Sequence, residues 1–338
     1  MTADEKFMRE ALKLARCGIG ETRPNPAVGC VLVKNGRIIA RGYHRRAGRP
    51  HAEIEALRTL KNPARARGAT AYITLEPCCT RGRTPPCTEA LIRAGIARVV
   101  SGAIDPNPKH RGRGLRLLEK AGIKTTCGTL ADQCAALNPE FHHYMATGLP
   151  WVVAKCGMSL DGRLTRPPGE GPWITSLAAR ADAMKLRARV GAILVGAGTI
   201  RADDPALTVR GLRCTEQPRR IIWAPRTRPS AKAKVFTDRH RGRTLVLRQT
   251  TLRAALRALG RQGIQSVLVE GGGHTLGQLF ASRLANEVVF YLGPMLAGGS
   301  VVAVAGTKLS PPAALTQTRI VRLGSCLRLS GRVERGQA

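Results

Sequence analysis

The first half of this chain is constrained above all by the placement of one histidine and two cysteines. His51 opens His51-Ala52-Glu53, Cys78 closes Pro77-Cys78 at a spacing of 27 residues, and Cys87 follows after a gap of eight residues. One neutral imidazole and two thiolates form a zinc-ligand set that leaves the fourth tetrahedral position to water, whose pKa the metal lowers toward neutrality. Glu53 lies outside that set and is free to move protons. Any fold that uses this set must bring three separate stretches of chain to one point.

Local patterns suggest how. Ala52, Ala56, Leu57 and Leu60 recur at helical spacing, which puts His51 and Glu53 at a helix N-terminus. Thr70 to Leu75 reads as a strand running into Glu76-Pro77-Cys78, and Cys87 to Ile92 begins another helix. Two helix starts then converge on one metal, and their positive ends favour thiolate over thiol. An ordinary surface histidine and two buried free cysteines would need no such convergence. The arrangement is that of a hydrolytic base deaminase, in which the glutamate carries a proton from the activated water to the ring and the departing ammonia.

A length of 338 residues suits two domains better than one core. No apolar run approaches membrane-spanning length, and Met1 to Lys6 lacks the layout of a secretory signal. A soluble, cytoplasmic protein with its ten cysteines reduced is therefore expected. The net charge of +33 invites a nucleic-acid reading. Against it, the 43 Arg and 12 Lys are scattered through both halves, and three Trp, four Tyr and five Phe offer few stacking platforms. A basic surface also steers phosphorylated small molecules and NADPH.

In the first domain Asp4 is a candidate cap for a helix carrying Met8, Ala11, Leu12 and Ala15 on one face. Cys30 to Val33 and Arg37 to Ala40 read as a hairpin around Asn35-Gly36. A strand at 97–102, a helix at 114–121 and a strand at 123–126 complete an α/β/α layered domain. Asn25 is either a turn residue or a hydrogen-bond partner of the ring being deaminated. Pro24-Asn25-Pro26-Ala27-Val28-Gly29, His51-Ala52-Glu53, Glu76-Pro77-Cys78, Gly82-Arg83-Thr84-Pro85-Pro86-Cys87 and Asp105-Pro106-Asn107-Pro108 together resemble the bifunctional deaminase/reductase family of riboflavin biosynthesis, the RibD type. The resemblance implies a cytidine-deaminase-like fold and a phosphoribosylated pyrimidine substrate, with Asn25, Arg83 and residues 105–107 as contacts. Where that family has Cys-Ser-His, this chain has Cys78-Cys79-Thr80. The zinc ligands survive but a histidine is missing, and Cys79 reads as a small buried substitute for serine or as a competing ligand.

The second domain begins where Gly148-Leu149-Pro150 breaks a helix expected over 131–147, so the domains are read as 1–147 and 150–338. Strands at 151–155, 192–195, 220–223, 244–247, 266–269 and 288–291 alternate with helices at 177–189, 252–259 and 275–284, which calls for a mainly parallel sheet covered on both faces. Glu270-Gly271-Gly272-Gly273-His274-Thr275 lies between a strand and a helix. Its glycines and helix N-terminus suit a phosphate, although the full Rossmann fingerprint is absent. Ser159 to Arg163, Trp173-Ile174-Thr175, Leu186-Arg187-Ala188, Val195 to Thr199 and Asp203 to Arg210 resemble the reductase half of the same family, in the same order.

That resemblance implies a dihydrofolate-reductase-like α/β domain using NADPH. Gly157, Trp173, Thr199, Asp203 and the turn Gly272, Gly273, His274, Thr275, Leu276, Gly277 and Gln278 would hold the cofactor. Arg187, Leu207, Arg210 and Glu270 would hold the sugar phosphate, the arginines through charge-assisted forks. Lys155 either lies near the reacting sugar or is a strand-end lysine with its head in water. Departures fall at Gly171, at Ala224-Pro225 in place of Asp-Ser, and at Asn286 before Glu287. A homodimer or higher homo-oligomer is implied by the family's reductase half. Two other readings stay open: a secondary-metabolite paralogue with a drifted reductase half, and an RNA-binding base deaminase.

Overall fold

The computed structural model describes residues 1–334 apart from 83, 84, 167, 168, 172 and 307. The chain divides into two compact units, Met1–Gly148 and Leu149–Ala338. In the first, helix α1 (Ala3–Arg16) starts from a capping box in which Thr2 and Glu5 exchange side-chain and backbone bonds. Thr2 has the extended backbone that a cap requires, so it displaces Asp4 from that role. Asp4 instead receives two bonds from the Arg98 guanidinium, at 3.0 and 2.7 Å, and one from the Tyr72 hydroxyl at 2.8 Å.

Strands β1 (Gly29–Lys34) and β2 (Arg37–Tyr43) form the expected hairpin, with Asn35 and Gly36 both at positive φ (50° and 70°). There follow α2 (Ala52–Arg58), β3 (Thr70–Ile73), α3 (Cys87–Arg93), β4 (Arg98–Ser101), α4 (Arg113–Lys120), β5 (Lys124–Cys127), α5 (Ala131–Ala135) and α6 (Pro139–Thr147). The sheet runs β2-β1-β3-β4-β5, antiparallel around β1 and parallel from β3 to β5. One core cluster packs α2, α3 and α4 on one face through Ala52, Ala56, Leu91, Leu115 and Leu118. Another packs α1, α5 and α6 on the opposite face through Met8, Leu12, Cys134 and Phe141. The helix expected over 131–147 is interrupted at Asn138-Pro139. Pro139 can only begin a helix, and the Asn138 amide brackets Ala27, accepting from its N–H at 2.7 Å and donating to its carbonyl at 2.9 Å.

In the second unit the elements are β6 (Trp151–Met158), α7 (Leu177–Arg189), β7 (Ala192–Gly196), α8 (Ala197–Asp203), β8 (Arg219–Trp223), α9 (Lys234–Thr237), β9 (Thr244–Leu247), α10 (Leu252–Arg261), β10 (Ser266–Val269), α11 (Gly273–Ala281), β11 (Glu287–Leu292), β12 (Leu315–Leu323) and β13 (Cys326–Val333). The sheet order is β12-β13-β11-β6-β10-β7-β8-β9, parallel from β11 to β9 with an antiparallel hairpin at one edge. Helices α10 and α11 cover one face, and α7, α8 and α9 the other. The hairpin and the short helices α8 and α9 were not expected from the pattern of apolar residues. No helix among the described residues is long and apolar enough to cross a membrane.

Candidate active sites

Gly42 fixes the first site. A Cβ there would strike the backbone of Ala52 and Ala56, so only glycine lets α2 lie directly on β2. That contact fixes the start of α2, where His51 is the N-cap. Cys78 follows β3 through Glu76-Pro77, and Cys87 is the first residue of α3. The three donor atoms lie within 4.8 Å of one another. His51 Nδ1 is 3.5 Å from Cys78 Sγ and 3.3 Å from Cys87 Sγ. Tetrahedral zinc at about 2.3 Å from sulfur and about 2.0 Å from nitrogen would set such pairs roughly 3.5 Å apart. The donor set therefore fits the metal.

A hydrogen bond from the Cys87 side chain and the neighbouring His51 pull the Cys78 thiol down to about 4. The same shared proton, with burial and Glu53, pushes Cys87 well up. Both sulfurs would bind zinc as thiolates, so metal binding would displace the proton they share. Glu53 is 3 % exposed, and burial raises its carboxyl against the lowering pull of His51. A carboxyl shifted upward beside a water-activating metal suits a group that must both take and give a proton.

Asn25 is oriented by a residue that the sequence did not single out. His44, almost fully buried, lies 3.0 Å through Nδ1 from the Pro50 carbonyl, to which that nitrogen must donate. Nε2 is then the acceptor for the Asn25 amide at 3.1 Å. Burial lowers the His44 pKa, which favours this neutral form. Glu76 shapes another wall by accepting N–H bonds from Asp105 (3.1 Å), Gly112 (2.8 Å) and Gly114 (2.8 Å). Its single carboxylate staples the loop after β4 against the cysteine turn. Asp105 there is raised to about 6, mainly by burial. Arg83, expected to contact substrate, lies outside the described residues.

In the second unit the expected residues gather where the parallel strands end. Arg187 of α7 and Glu270 after β10, expected as contacts to phosphate and ribose, are bonded to each other. The Arg187 Nε and a terminal nitrogen donate to the two Glu270 oxygens at 2.7 and 2.6 Å, and its remaining nitrogen donates to the Thr208 carbonyl at 2.8 Å. Burial pushes the Glu270 carboxyl up, but the charges of Arg187, Lys155 and Arg210 outweigh it and hold it at about 2. Arg210 is exposed and Lys155 half-buried, so their charges remain available to a ligand. Leu207, expected to hold the sugar phosphate, is buried in the core with φ 49°.

For the cofactor, Gly272 caps α11 with no side-chain bond, and its N–H donates to the Thr199 hydroxyl at 2.9 Å. Gly273 and Gly277 are glycine because a Cβ would strike the carbonyls of Val302 and Ala305. Thr275 presses on Gly196 and on the core, and Leu276 is wholly buried, whereas His274 and Gln278 are exposed. Asp203 is exposed at the end of α8, and Trp173 is exposed with the Arg180 guanidinium 4.2 Å above its ring. Gly157 in β6 faces Thr175. An uncapped helix start beside a hydroxyl and an accessible aromatic face fits the phosphates and rings of a dinucleotide.

Residues 1–103 match the cytidine and deoxycytidylate deaminase zinc-binding region, and residues 150–328 match the RibD C-terminal domain. Riboflavin biosynthesis protein RibD of Escherichia coli is 42 % identical, with 87 % of this chain and 89 % of that protein aligned. The chain belongs to the RibD family. The structure of RibD from Acinetobacter baumannii superposes with a TM-score of 0.89 at 36 % identity, covering 98 % of this chain and 99 % of that one. The diaminohydroxyphosphoribosylaminopyrimidine deaminase / 5-amino-6-(5-phosphoribosylamino)uracil reductase from Thermotoga maritima gives 0.88 at 32 % identity over the same shares.

Membership in the RibD family makes the departures informative. Asn286 sits at the start of β11, the end away from the gathered residues, and its side chain accepts the Val152 N–H at 2.8 Å. An asparagine oxygen fills that structural role as well as a carboxylate would. Ala224 is buried just past β8, donating to the Leu247 carbonyl, and Pro225 follows it. Gly171 is exposed at φ 81°, beside a residue outside the description. Cys79, expected as a buried stand-in for serine, is half-buried and outside the donor set; its sulfur lies 3.4 Å from His110 Nδ1.

Proposed function

We propose that the unit containing His51, Cys78 and Cys87 hydrolyses the 2-amino group of 2,5-diamino-6-ribosylamino-4-pyrimidinone 5'-phosphate. The second unit then reduces the ribosyl chain of the product to ribityl with NADPH, giving 5-amino-6-ribitylamino-uracil 5'-phosphate. The observation that carries the reading is the three-donor cluster with buried Glu53 beside it, on a chain whose other half is a RibD reductase domain. Zinc, when bound, acidifies water and neutralises charge as the amino-bearing carbon becomes tetrahedral. Glu53 takes one proton from the attacking water and gives it to the ring nitrogen, then takes the remaining hydroxyl proton and gives it to the amino group as the C–N bond breaks, so that water is consumed and ammonia released. Asn25, its amide nitrogen turned to His44, presents its oxygen to the ring.

In the reductase half Lys155 and Arg210 supply positive charge to the phosphorylated sugar, and the Arg187–Glu270 pair braces the wall behind them. The Gly272 turn and Trp173 would hold NADPH, which would supply the hydride; positioning is the protein's main contribution there. A cytoplasmic location with reduced cysteines is part of this reading. A homodimer or higher homo-oligomer belongs to the same reading. Purified protein supplied with zinc, NADPH and the diaminopyrimidine phosphate should release ammonia and then oxidise NADPH. Ammonia release with no loss of nicotinamide absorbance on the deaminated product would remove the reductase half of the reading.

A further inference from the structure

His110 is a buried histidine that the mechanism so far leaves idle. It is 9 % exposed and lies in the loop after β4 that Glu76 staples to the cysteine turn. The Cys79 N–H donates to its Nδ1 at 3.4 Å, and the Cys79 sulfur lies at the same distance from that atom. A ring that accepts at Nδ1 carries its proton on Nε2 when neutral. Among the described residues Nε2 has no partner, and it is not one of the sealed, unpaired nitrogens of the molecule. The ring therefore rests against the residue between zinc ligand Cys78 and Thr80, at the side of the deaminase site.

Thr80 is the position where the RibD pattern has a histidine and this chain does not. Resting on the deaminase reading above, we propose that His110 replaces that side chain, reaching the substrate from the opposite loop. Its Nε2–H donates to an oxygen of the phosphoribosylated pyrimidine. The substitution is made in space and not in sequence: the imidazole is anchored on the neighbour of Thr80 but is carried by a loop beginning at Asp105.

The test compares His110→Ala, His110→Gln and the double variant His110→Ala/Thr80→His in the full chain loaded with zinc. His110→Ala should raise the deaminase KM at least about tenfold, the factor for one lost donor of roughly 1.4 kcal/mol, with a smaller change in kcat. Zinc content and reductase KM should be unchanged. His110→Gln keeps a donor near the Nε2 position and should recover part of the affinity, and Thr80→His in the alanine background should restore most of it. Calorimetry with the deaminated product should show the same order of dissociation constants. An unchanged KM and product affinity in His110→Ala would overturn the proposal. So would loss of zinc in both single variants, which would make His110 a structural prop. If the unaltered enzyme released no ammonia from the diaminopyrimidine while still binding zinc, the deaminase reading would fail instead.

Discussion

The two sites place their charged side chains in opposite ways. In the first unit three donors from separate stretches converge within 4.8 Å of one another, with His51 Nδ1 at 3.5 and 3.3 Å from the two sulfurs, and among the described residues no basic side chain is bonded to Glu53 beside them. In the second, Arg187 and Glu270 close on each other at 2.6 and 2.7 Å, and the charges left for a ligand are Lys155 and Arg210. In the metal site the side chains share protons that an arriving ion would displace. A site for an organic phosphate can be built on a framework whose charges are already paired.

Metal removal is the sharpest way to break this contrast. Chelation should abolish ammonia release altogether, while NADPH oxidation with preformed deaminated substrate continues at its original rate. Parallel loss of both activities would mean that the halves do not function separately. Next in size is Glu53→Gln, which keeps shape but loses the proton-carrying oxygen. Ammonia release should fall by about 100-fold or more, with zinc content by elemental analysis unaltered; an unchanged rate would take Glu53 out of the mechanism.

The contrast also explains what the sequence disclosed. Metal ligands are restricted to a few residue types at element ends, so His51, Cys78 and Cys87 stand out without knowledge of the fold. The Arg187–Glu270 pair spans 83 positions and leaves no local trace, and each residue alone looks like a ligand contact. His44 and His110 were missed for the same reason: their partners Asn25 and Cys79 are brought to them by the sheet and by Glu76. Most strands and helices were visible in apolar periodicity because the parallel sheets are buried on both faces. The hairpin of β12 and β13 was not, since β12 is largely exposed and carries Thr, Gln and Arg among its apolar residues.

Glu270→Gln probes the paired framework. Removing one partner leaves Arg187 buried without a counter-charge, which costs about 3 kcal/mol or more. All three tryptophans, at 151, 173 and 223, lie in the second unit, so their fluorescence during urea unfolding follows that half alone. Zinc content should be unaffected. The pH dependence has a definite sign. Glu270 falls from an ordinary 4.5 to about 2 in the folded state, so its stabilisation is fully present above the unfolded value and is lost as pH drops through the folded one. The difference between the unaltered protein and Glu270→Gln should therefore narrow between about pH 4.5 and about pH 2. A constant difference would show that the carboxylate charge is not what braces Arg187.

Arg210→Ala should have the smallest effect and separates binding from bracing. Arg210 is exposed, and the Arg187 fork already holds Glu270, so truncation should leave the urea midpoint of the second unit nearly unchanged. If its guanidinium meets the phosphorylated sugar, the reductase KM should rise about tenfold, as for one charge-assisted hydrogen bond, with KM for NADPH unaltered. Arg187→Ala should behave differently, lowering stability and raising KM together, because the same side chain supports the wall and contributes to its charge. Equal stability losses in the two variants would mean that Arg210 belongs to the framework, and the division between paired and available charges would have to be redrawn.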